Sequence, residues 1–468
     1  MKNFMGRNFL LSTEKAKELY HGFAEDMPII DYHCHLDPKE IYEDRCFQDI
    51  AEAWLQADPE KWRLMRANGV PEEYITGAAP GREKFRMYAE TLEKAIGNPL
   101  YHWSHLELRR FFGYEGALNA ETAETVWQLT EEQLKDERFS VRNLIRRSDV
   151  DVICTTDDPA DDLKYHKLLR DDRMVEFKVL PTFRPDKAVN IENEGFAAYI
   201  EKLSGAAKVR ISSFDALKKA LNKRLDYFGT LGCVVSDHSL SYVPFERAEE
   251  SAVEAVFEKA MEGKALTAKE IRQYKTALLL ELGRAYAAHG MVMQIHFNVQ
   301  RNVDRRRFLL LGPDSGFDCM DDRSFGTELA AFMSALSEDE ALPKMILYSL
   351  NPKDDILLDT IAGAFNESGA VGKIQHGAAW WFNDHKDGIK KQLVSYANNG
   401  LLGGFVGMCT DARSVFSYAR HEYFRRILCD FIGECVENGE YPDDPRALEK
   451  MVEGICYYNA KNYFGFTS

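Results

Sequence analysis

Two histidines spaced two residues apart point to metal chemistry. Residues 28–35 are an apolar run that ends in His33 and His35. In an extended strand, residues i and i+2 project from the same face, so both imidazoles would point at one place. Two converging neutral imidazole nitrogens are ligands that a divalent metal ion requires. The chain has 12 histidines, so such a pair also arises by chance, and other residues must supply the rest of the site.

Eight short apolar segments rich in valine and isoleucine predict eight strands. They are residues 28–35, 150–156, 177–184, 232–238, 291–298, 344–351, 373–380 and 404–411. Helix-length segments separate most of the later ones, for example 331–336, 355–365 and 388–398. This alternation predicts repeated βα units with a parallel sheet. Eight such units predict an α/β fold of the (β/α)8 TIM-barrel type.

Two connections are too long for a simple crossover and divide the chain into three parts. Residues 1–35 form the N-terminal segment and barrel strand 1, and residues 36–149 are expected to be a helical subdomain inserted after that strand. Residues 150–468 complete the barrel, with a helical excursion at 241–290. The insertion follows a strand, so we expect it at the barrel mouth where active sites lie.

Ionisable side chains follow several of these strands. Asp411 lies at the end of the eighth segment, which neighbours the first once a barrel closes, so Asp411 is the expected third metal ligand beside the two histidines. Guanidinium groups near strand ends suit a bidentate grip on a carboxylate, whereas pairing with nearby acids is the ordinary alternative. The candidate substrate-binding residues are Arg184, Asp237, His296, Arg301, Trp380 and Trp381, with Arg413 as a catalytic candidate. His296 is alternatively a core histidine, and we expect only one of the two tryptophans to face the pocket.

Composition excludes several classes of protein. The chain has 468 residues with 59 basic and 75 acidic side chains, a formal net charge of -16. Nucleic acids and anionic membranes would repel such a chain. The nine cysteines include no Cys-x-x-Cys pair, and no stretch reaches 18 apolar residues. We therefore expect a cytoplasmic protein without disulfides or a membrane span.

Ordered sequence blocks along nearly the whole chain resemble the uronate isomerases (glucuronate isomerases) of the amidohydrolase superfamily. The blocks are residues 31–35, 97–101, 105–108, 154–159, 183–186, 235–238, 311–314, 380–384, 411–414 and 420–426. The resemblance implies interconversion of D-glucuronate with D-fructuronate, and of D-galacturonate with D-tagaturonate, through a cis-enediol. It also implies one divalent metal ion, expected to be Zn²⁺, held by His33, His35 and Asp411. A small hexuronate is the expected partner, and we expect a homo-oligomer.

One segment departs from the family pattern. Where the family usually has Asp-His-Tyr-Lys-Trp-Arg, this chain has Asp-Pro-Glu-Lys-Trp-Arg at residues 58–63. In the family, the tyrosine is placed to carry the C2 proton and the histidine to touch the substrate. Glu60 is therefore the candidate proton carrier, since burial can raise a carboxyl pKa to suit that task. A smaller difference is His376, which would add a polar group from strand 7 to the pocket.

The sequence is compatible with three hypotheses for the function of the protein. The first is a uronate isomerase, in which Asp411, Arg413 and Glu60 are catalytic. The second is a paralogue acting on a different sugar acid, as an isomerase or as a metal-dependent lactone hydrolase. The third is a catalytically silent homologue that binds a uronate, supported only by the altered loop at residues 58–60.

Overall fold

The computed structural model describes residues 3–466, and within that range the strands form three sheets. The strands are β1 (Ile29–Asp31), β2 (Val150–Cys154), β3 (Lys178–Leu180), β4 (Val235–Ser239), β5 (Val292–Phe297), β6 (Val299–Gln300), β7 (Cys319–Met320), β8 (Lys344–Ser349) and β9 (Ile374–His376). Seven of them overlap predicted strand segments and are shorter than those segments; six lie wholly inside, and β4 extends one residue beyond 232–238.

The seven longer strands pair in parallel. One sheet has the order β1-β2-β3 and the other the order β4-β5-β8-β9. Isolated parallel bridges join Phe183 to Asp157 on one side and to Ser236 on the other, and so connect the two sheets. The predicted parallel α/β architecture is therefore confirmed. The antiparallel pair β6-β7 lies apart from both sheets and was not predicted.

The predicted eighth strand, 404–411, is not a strand in the structure. The segment nevertheless runs beside β1, since the Asp411 N–H donates to the His33 carbonyl (3.0 Å) and the His35 N–H to the Ala412 carbonyl (2.8 Å). The N–H of Thr410 donates instead to the buried Asp31 carboxylate (2.8 Å). A side chain thus takes the place of a main-chain carbonyl, and the regular ladder is interrupted.

Helices fill the connections between the parallel strands. The α-helices are α1 (Glu14–Leu19), α2 (Pro38–Glu43), α3 (Ile50–Leu55), α4 (Pro59–Ala67), α5 (Gly81–Leu92), α6 (Pro99–Phe112), α7 (Ala123–Leu134), α8 (Val141–Arg147), α9 (Lys164–Asp171), α10 (Asp186–Val189), α11 (Phe196–Ala207), α12 (Phe214–Gly229), α13 (Glu250–Met261), α14 (Ala268–Ala288), α15 (Arg305–Leu311), α16 (Gly326–Glu338), α17 (Asp355–Phe365), α18 (Lys386–Asn399), α19 (Ala419–Glu437), α20 (Pro445–Glu453) and α21 (Asn459–Phe464). Short 3₁₀ turns lie at Glu72–Tyr74, Glu137–Phe139, Pro352–Asp354, Trp381–Asn383, Leu402–Gly404 and Val415–Tyr418, and π turns at Tyr20–Ala24 and Gly454–Tyr458.

The long connection between β1 and β2 holds helices α2 to α8 and no strand. Several of these helices begin with a side chain that accepts the first free N–H groups, such as Asp37, Asp49 and Ser140. Their apolar faces share one buried cluster with β1, β2 and helix α19. The connection thus packs directly against the strand that leads to the two histidines. Helices α13 and α14 occupy the second long connection.

No helix in residues 3–466 is long and apolar enough to cross a membrane.

Candidate active site

Three predicted ligands meet where β1 ends. His33 Nε2 lies 3.1 Å and His35 Nε2 2.9 Å from the same oxygen, Asp411 Oδ1. The histidines lie beyond Asp31, the last residue of β1, rather than in the strand as predicted. They still point to one place because the chain from His33 to His35 continues between two neighbours. It bonds to Asp411 and Ala412 on one side and to Cys154 on the other.

The donor set at this point suits a divalent metal ion. His33, His35 and Asp411 each offer one ligand atom within 4.8 Å of the others. Burial lowers the pKa of His35 to about 4, which keeps the imidazole neutral. Burial alone would raise the pKa of Asp411, but its hydrogen bonds with His33 and His35 hold it well below the usual range. Burial lowers the pKa of His33, but the Asp237 and Asp411 carboxylates outweigh burial and raise it above its usual value. Metal binding at His33 would therefore displace a proton, since neutral imidazoles and an ionised carboxylate are the states in which these groups bind a metal.

The surroundings of Asp411 leave one of its two carboxylate oxygens free to bind a metal ion. The Trp380 indole N–H donates to Asp411 Oδ2 (2.8 Å), so Oδ1 faces the histidines. Asp411 also has a left-handed backbone, with φ of +48°. Such a φ is uncommon outside glycine and costs free energy, and aspartate tolerates it better than most residues. The strained turn and the indole together aim the carboxylate.

A second buried group lies directly behind the first. His296 Nδ1 is 2.7 Å from Asp237 Oδ1, and Arg184 Nη1 is 3.3 Å from Asp237 Oδ2. Burial opposes ionisation of Asp237, but the Arg184 charge and the contacts with His296 and His33 keep its pKa well below the usual value. His296 Nδ1–H donates to the Asp237 carboxylate, so the Nε2 atom of His296 carries the lone pair. This Nε2 atom has no hydrogen-bond partner among the described residues.

All of the predicted site residues except Asp237 line one cavity of about 410 Å³. Asp237 is fully buried and lies behind Arg184 and His296, so its contact is with those side chains rather than with the cavity. The lining from the predicted set is His33, His35, Glu60, Arg184, His296, Arg301, Trp380, Trp381, Asp411 and Arg413.

The arginines of the cavity differ in their partners. Arg184 Nε donates to Asp186 (2.8 Å) and Arg301 Nη1 to Asp318 (2.9 Å), so each is held in place by a carboxylate. Arg413 is exposed on the cavity wall and has no hydrogen-bond or ion-pair partner within residues 3–466. Of the three predicted arginines, Arg413 is thus the one that a substrate anion would meet uncompensated.

Both tryptophans line the cavity, and the expectation that only one would face it was wrong. Trp381 has a left-handed backbone, with φ of +51°. This turn places the two indoles 5.8 Å apart at an angle of 56° rather than on opposite sides. The Arg301 guanidinium lies 5.0 Å from the Trp381 ring centroid, which fixes one face of that ring.

The segment at residues 58–60 begins a helix and is not a loop as predicted. Asp58 caps helix α4, its carboxylate accepting from the Glu60 and Lys61 N–H groups (3.0 and 3.1 Å). Pro59 occupies the first helical position, where a missing N–H has no cost. Glu60 therefore lies in a rigid first turn on the cavity wall.

Helix α4 is fastened to the loop that precedes β7. Arg63 donates to the Asp318 carbonyl (2.8 Å) and Arg66 to the Ser315 carbonyl (2.5 Å). Gly316 has φ of +89°, and a Cβ there would lie 2.8 Å from the Pro59 carbonyl oxygen. This close approach holds the first turn of α4 over the cavity.

Glu60 has an unusual electrostatic environment. Burial raises the pKa of Glu60 to about 8, the Arg420 guanidinium opposes the shift, and the Asp58 and Asp384 carboxylates add to it. A smaller recess of the cavity is lined by Glu60, Asp384, Asp411 and Arg420 together. A carboxyl group that titrates near neutrality is suited to pick up and return a proton.

Sequence reasoning missed several residues of this site. They are Arg45, Asp58, Ser239, Asp318, Asp384 and Arg420. One of them had a usable signal. Arg420 lies in the first turn of α19, where a cation is unfavourable because it opposes the helix dipole. An arginine at such a position indicates that it has a role other than stabilising the helix.

His376 does not reach this cavity lining. Its Nδ1 lies 2.7 Å from Asp359 Oδ1, and Ser395 donates to the other oxygen of the same carboxylate. The extra polar group expected from strand 7 is thus satisfied behind the sheet.

The comparisons with known proteins agree with this geometry. The family model of glucuronate isomerase matches residues 1–464. This chain belongs to the glucuronate isomerase family. It is 53% identical to the uronate isomerase of Lachnospira eligens and 53% identical to that of Lachnoclostridium phytofermentans, each over 466 residues and the full length of both chains.

A solved structure supports the same membership. The uronate isomerase of Thermotoga maritima superposes with a TM-score of 0.93 at 35% identity, covering 99% of this chain and 100% of that one. The family resemblance inferred from the sequence is therefore confirmed.

Proposed function

We propose that this protein is a uronate isomerase that interconverts D-glucuronate with D-fructuronate and D-galacturonate with D-tagaturonate. The observation that carries the proposal is the joining, in one cavity, of a metal-ligand triad, three guanidinium groups and a carboxyl group that titrates near neutrality. Family membership over residues 1–464 supports it.

We infer that His33, His35 and Asp411 hold one divalent metal ion, with Zn²⁺ the ion that best matches two imidazoles and a carboxylate. When bound, the ion supplies Lewis-acid stabilisation of negative charge on a substrate oxygen. Trp380 fixes the orientation of the Asp411 carboxylate from outside the triad, as surrounding hydrogen bonds commonly do for metal ligands.

The reaction requires one proton to move between C2 and C1. The carrier takes the C2 proton, and the electrons of the C2–H bond form a C1–C2 double bond while negative charge develops on the C1 oxygen. The C2 hydroxyl then gives its proton to a second group, which passes it to the C1 oxygen. C1 takes back the carried proton as C2 becomes the carbonyl. We assign Glu60 as the carrier between the two carbons, and Asp411 as the group that exchanges the hydroxyl proton.

The remaining cavity residues orient the sugar acid. Arg413 faces negative charge that develops on the oxygens, and Arg301 and Arg184 grip the hydroxyls and the carboxylate. His296 presents its Nε2 lone pair to a substrate hydroxyl because Asp237 holds its Nδ1 proton. Trp380 and Trp381 offer apolar faces to the carbon chain.

Exchange of substrate hydrogen with solvent tests this function. In deuterated water, with glucuronate or galacturonate and metal-loaded protein, we expect deuterium at C2 of the aldose and at C1 of the ketose. Turnover of a sugar-acid lactone without such exchange would instead indicate a hydrolase. Binding without exchange or hydrolysis would indicate a silent homologue, and either result would overturn the proposal.

We expect the rate of isomerisation to rise with pH and to level off above about pH 8. This rising part of the pH profile is called the limb below. The pKa of Glu60 is raised to about 8, mainly by burial. Only its deprotonated form accepts the C2 proton, so activity should fall about tenfold for each pH unit below the pKa. The measurement is kcat/KM for glucuronate between pH 6 and 9.5. A flat profile over this range would contradict the assignment of Glu60.

We further infer that the two parallel sheets and residues 404–411 form one (β/α)8 barrel, supported by the Phe183 bridges and by the hydrogen bonds between His33 and Asp411. Residues 36–149 are then an insertion at its mouth. The nine cysteines, all free in the structure, favour a reducing cytoplasm. A homo-oligomer stays a prediction from the sequence.

A further inference from the structure

Arg420 is a nearly buried guanidinium at the edge of the cavity. Its side chain is 11% exposed, and the guanidinium carbon lies 3.8 Å from the ring centroid of Trp103. Nη1 donates to the Thr410 carbonyl (3.2 Å) and lies 3.7 Å from Asp384 Oδ2. Nε is buried and has no hydrogen-bond partner among the described residues. Burying an incompletely paired cation is costly, so this arrangement requires an explanation.

The carboxyl groups nearby are not equally compensated. Asp58 has its own cation, since Lys61 Nζ donates to it (2.6 Å), and it also accepts two N–H groups of helix α4. Glu60 and Asp384 have no cation of their own and line one recess together with Arg420. One guanidinium therefore lies at the same recess as two carboxyl groups, Asp384, which is buried, and Glu60, which is half-buried.

We propose that Arg420 is a positioning residue for Glu60: its guanidinium, fixed on Trp103 and shared with Asp384, stabilises the deprotonated carboxylate that accepts the C2 proton. The inference rests on the proposed function, because it concerns the proton carrier of that reaction. It extends the function by assigning a partner to the glutamate that stands where the family has tyrosine. A tyrosine is neutral at pH 7, so it carries no negative charge for such a cation to stabilise.

The charged groups that face Glu60 come from several elements. Asp58 and Lys61 lie on its own helix, α4, and Arg420 on α19. Asp384 follows the turn after Trp380, and Asp411 lines the same recess. Among these, Arg420 is the largest electrostatic influence that favours the charged form of Glu60. The direction of a change at Arg420 is therefore defined: removing its charge must make Glu60 harder to deprotonate.

The test is the pH profile of solvent deuterium exchange into glucuronate by the metal-loaded Arg420→Met variant. We expect the rising limb to move up by about one pH unit or more, the size typical of losing an opposite charge within a few ångströms. Exchange at pH 7 should then fall about tenfold, while exchange above the shifted limb returns toward that of the parent protein. Arg420→Lys keeps the positive charge, so its limb should lie close to the pH of the parent protein's limb.

Two further variants separate positioning from folding. Arg426→Met removes another buried guanidinium of α19, which is paired with Glu422 (2.9 Å) and lies 4.2 Å from the Tyr20 ring centroid. We expect that variant to lower stability without moving the limb. Asp384→Asn releases Arg420 from its second carboxylate, so the limb should move to lower pH. This variant gives a readout even where Arg420→Met does not fold.

The results also distinguish failure of this inference from failure of the proposed function. If Glu60→Gln retains exchange with the parent limb, Glu60 is not the carrier and the function assigned to it fails. If Glu60→Gln abolishes exchange while Arg420→Met lowers it equally at all pH values, Arg420 is merely structural. An unmoved limb in both Arg420→Met and Asp384→Asn would likewise overturn the inference.

Discussion

Replacing His35 with alanine is expected to remove the bound metal ion and to lower kcat/KM for glucuronate about a thousandfold, since metal-ion charge stabilisation contributes several kcal/mol. His35 suits this test because its hydrogen-bonding contact is confined to Asp411 Oδ1 (2.9 Å), whereas His33 also faces Asp237. The measurements are metal content by elemental analysis after dialysis, and steady-state kinetics before and after adding Zn²⁺.

Matched variants exclude a general loss of structure. Asp411→Asn keeps the shape of the side chain but removes the charge, so it should weaken metal retention while unfolding stays cooperative. His289→Ala removes a histidine at a similar distance from an aspartate, Asp226 (2.9 Å), on the protein surface. It should retain both metal and activity. Full metal content and full activity in His35→Ala would contradict the assigned triad.

Glu60→Gln is expected to lower the isomerisation rate by about 10² to 10⁴, the usual contribution of a positioned acid or base. The change preserves size and leaves the Asp58 cap of helix α4 intact, because that cap accepts only main-chain N–H groups at this position. Metal content should therefore not change. The measurements are kcat and the rate at which deuterium enters C2.

Two comparisons sharpen this experiment. Glu83→Gln changes a glutamate in the first turn of the neighbouring helix α5, where it is exposed, and should leave activity intact. Glu60→Tyr introduces the residue usual in the family, so we expect partial recovery and loss of the limb near pH 8. Unchanged deuterium exchange in Glu60→Gln would show that another group carries the proton.

Much of the fold was predictable from local patterns. Runs of valine and isoleucine separated by helix-length segments located the seven parallel strands, because strand and helix periodicity depends on neighbouring residues. The eighth segment failed for a reason outside that pattern. Asp31, a residue of the first strand, takes the N–H of Thr410 and replaces a ladder bond. A contact across 379 residues leaves no trace in the local sequence.

The sequence could predict those residues of the site that lie at the carboxyl ends of predicted strands. Parallel strands bring their carboxyl ends to one edge, so His33, His35 and Asp411 could be grouped before the structure was known. Residues brought in by helices could not. Arg420 and Asp384 contribute through the packing of α19 and of the turn after Trp380, and no spacing in the sequence relates them to Glu60.

The sequence by itself determined the family and the parallel architecture, and it indicated the donor types of the candidate metal site, because these follow from residue identity and short-range periodicity. The resemblance to the family also indicated a glutamate at residue 60 where a tyrosine is expected. Only the tertiary structure decided that Pro59 and Glu60 begin a helix on the cavity wall, and that Glu60, Asp384 and the guanidinium of Arg420 line one recess. The physical reason is that burial and charge pairing depend on distances between residues far apart in the chain, and those distances exist only once it has folded.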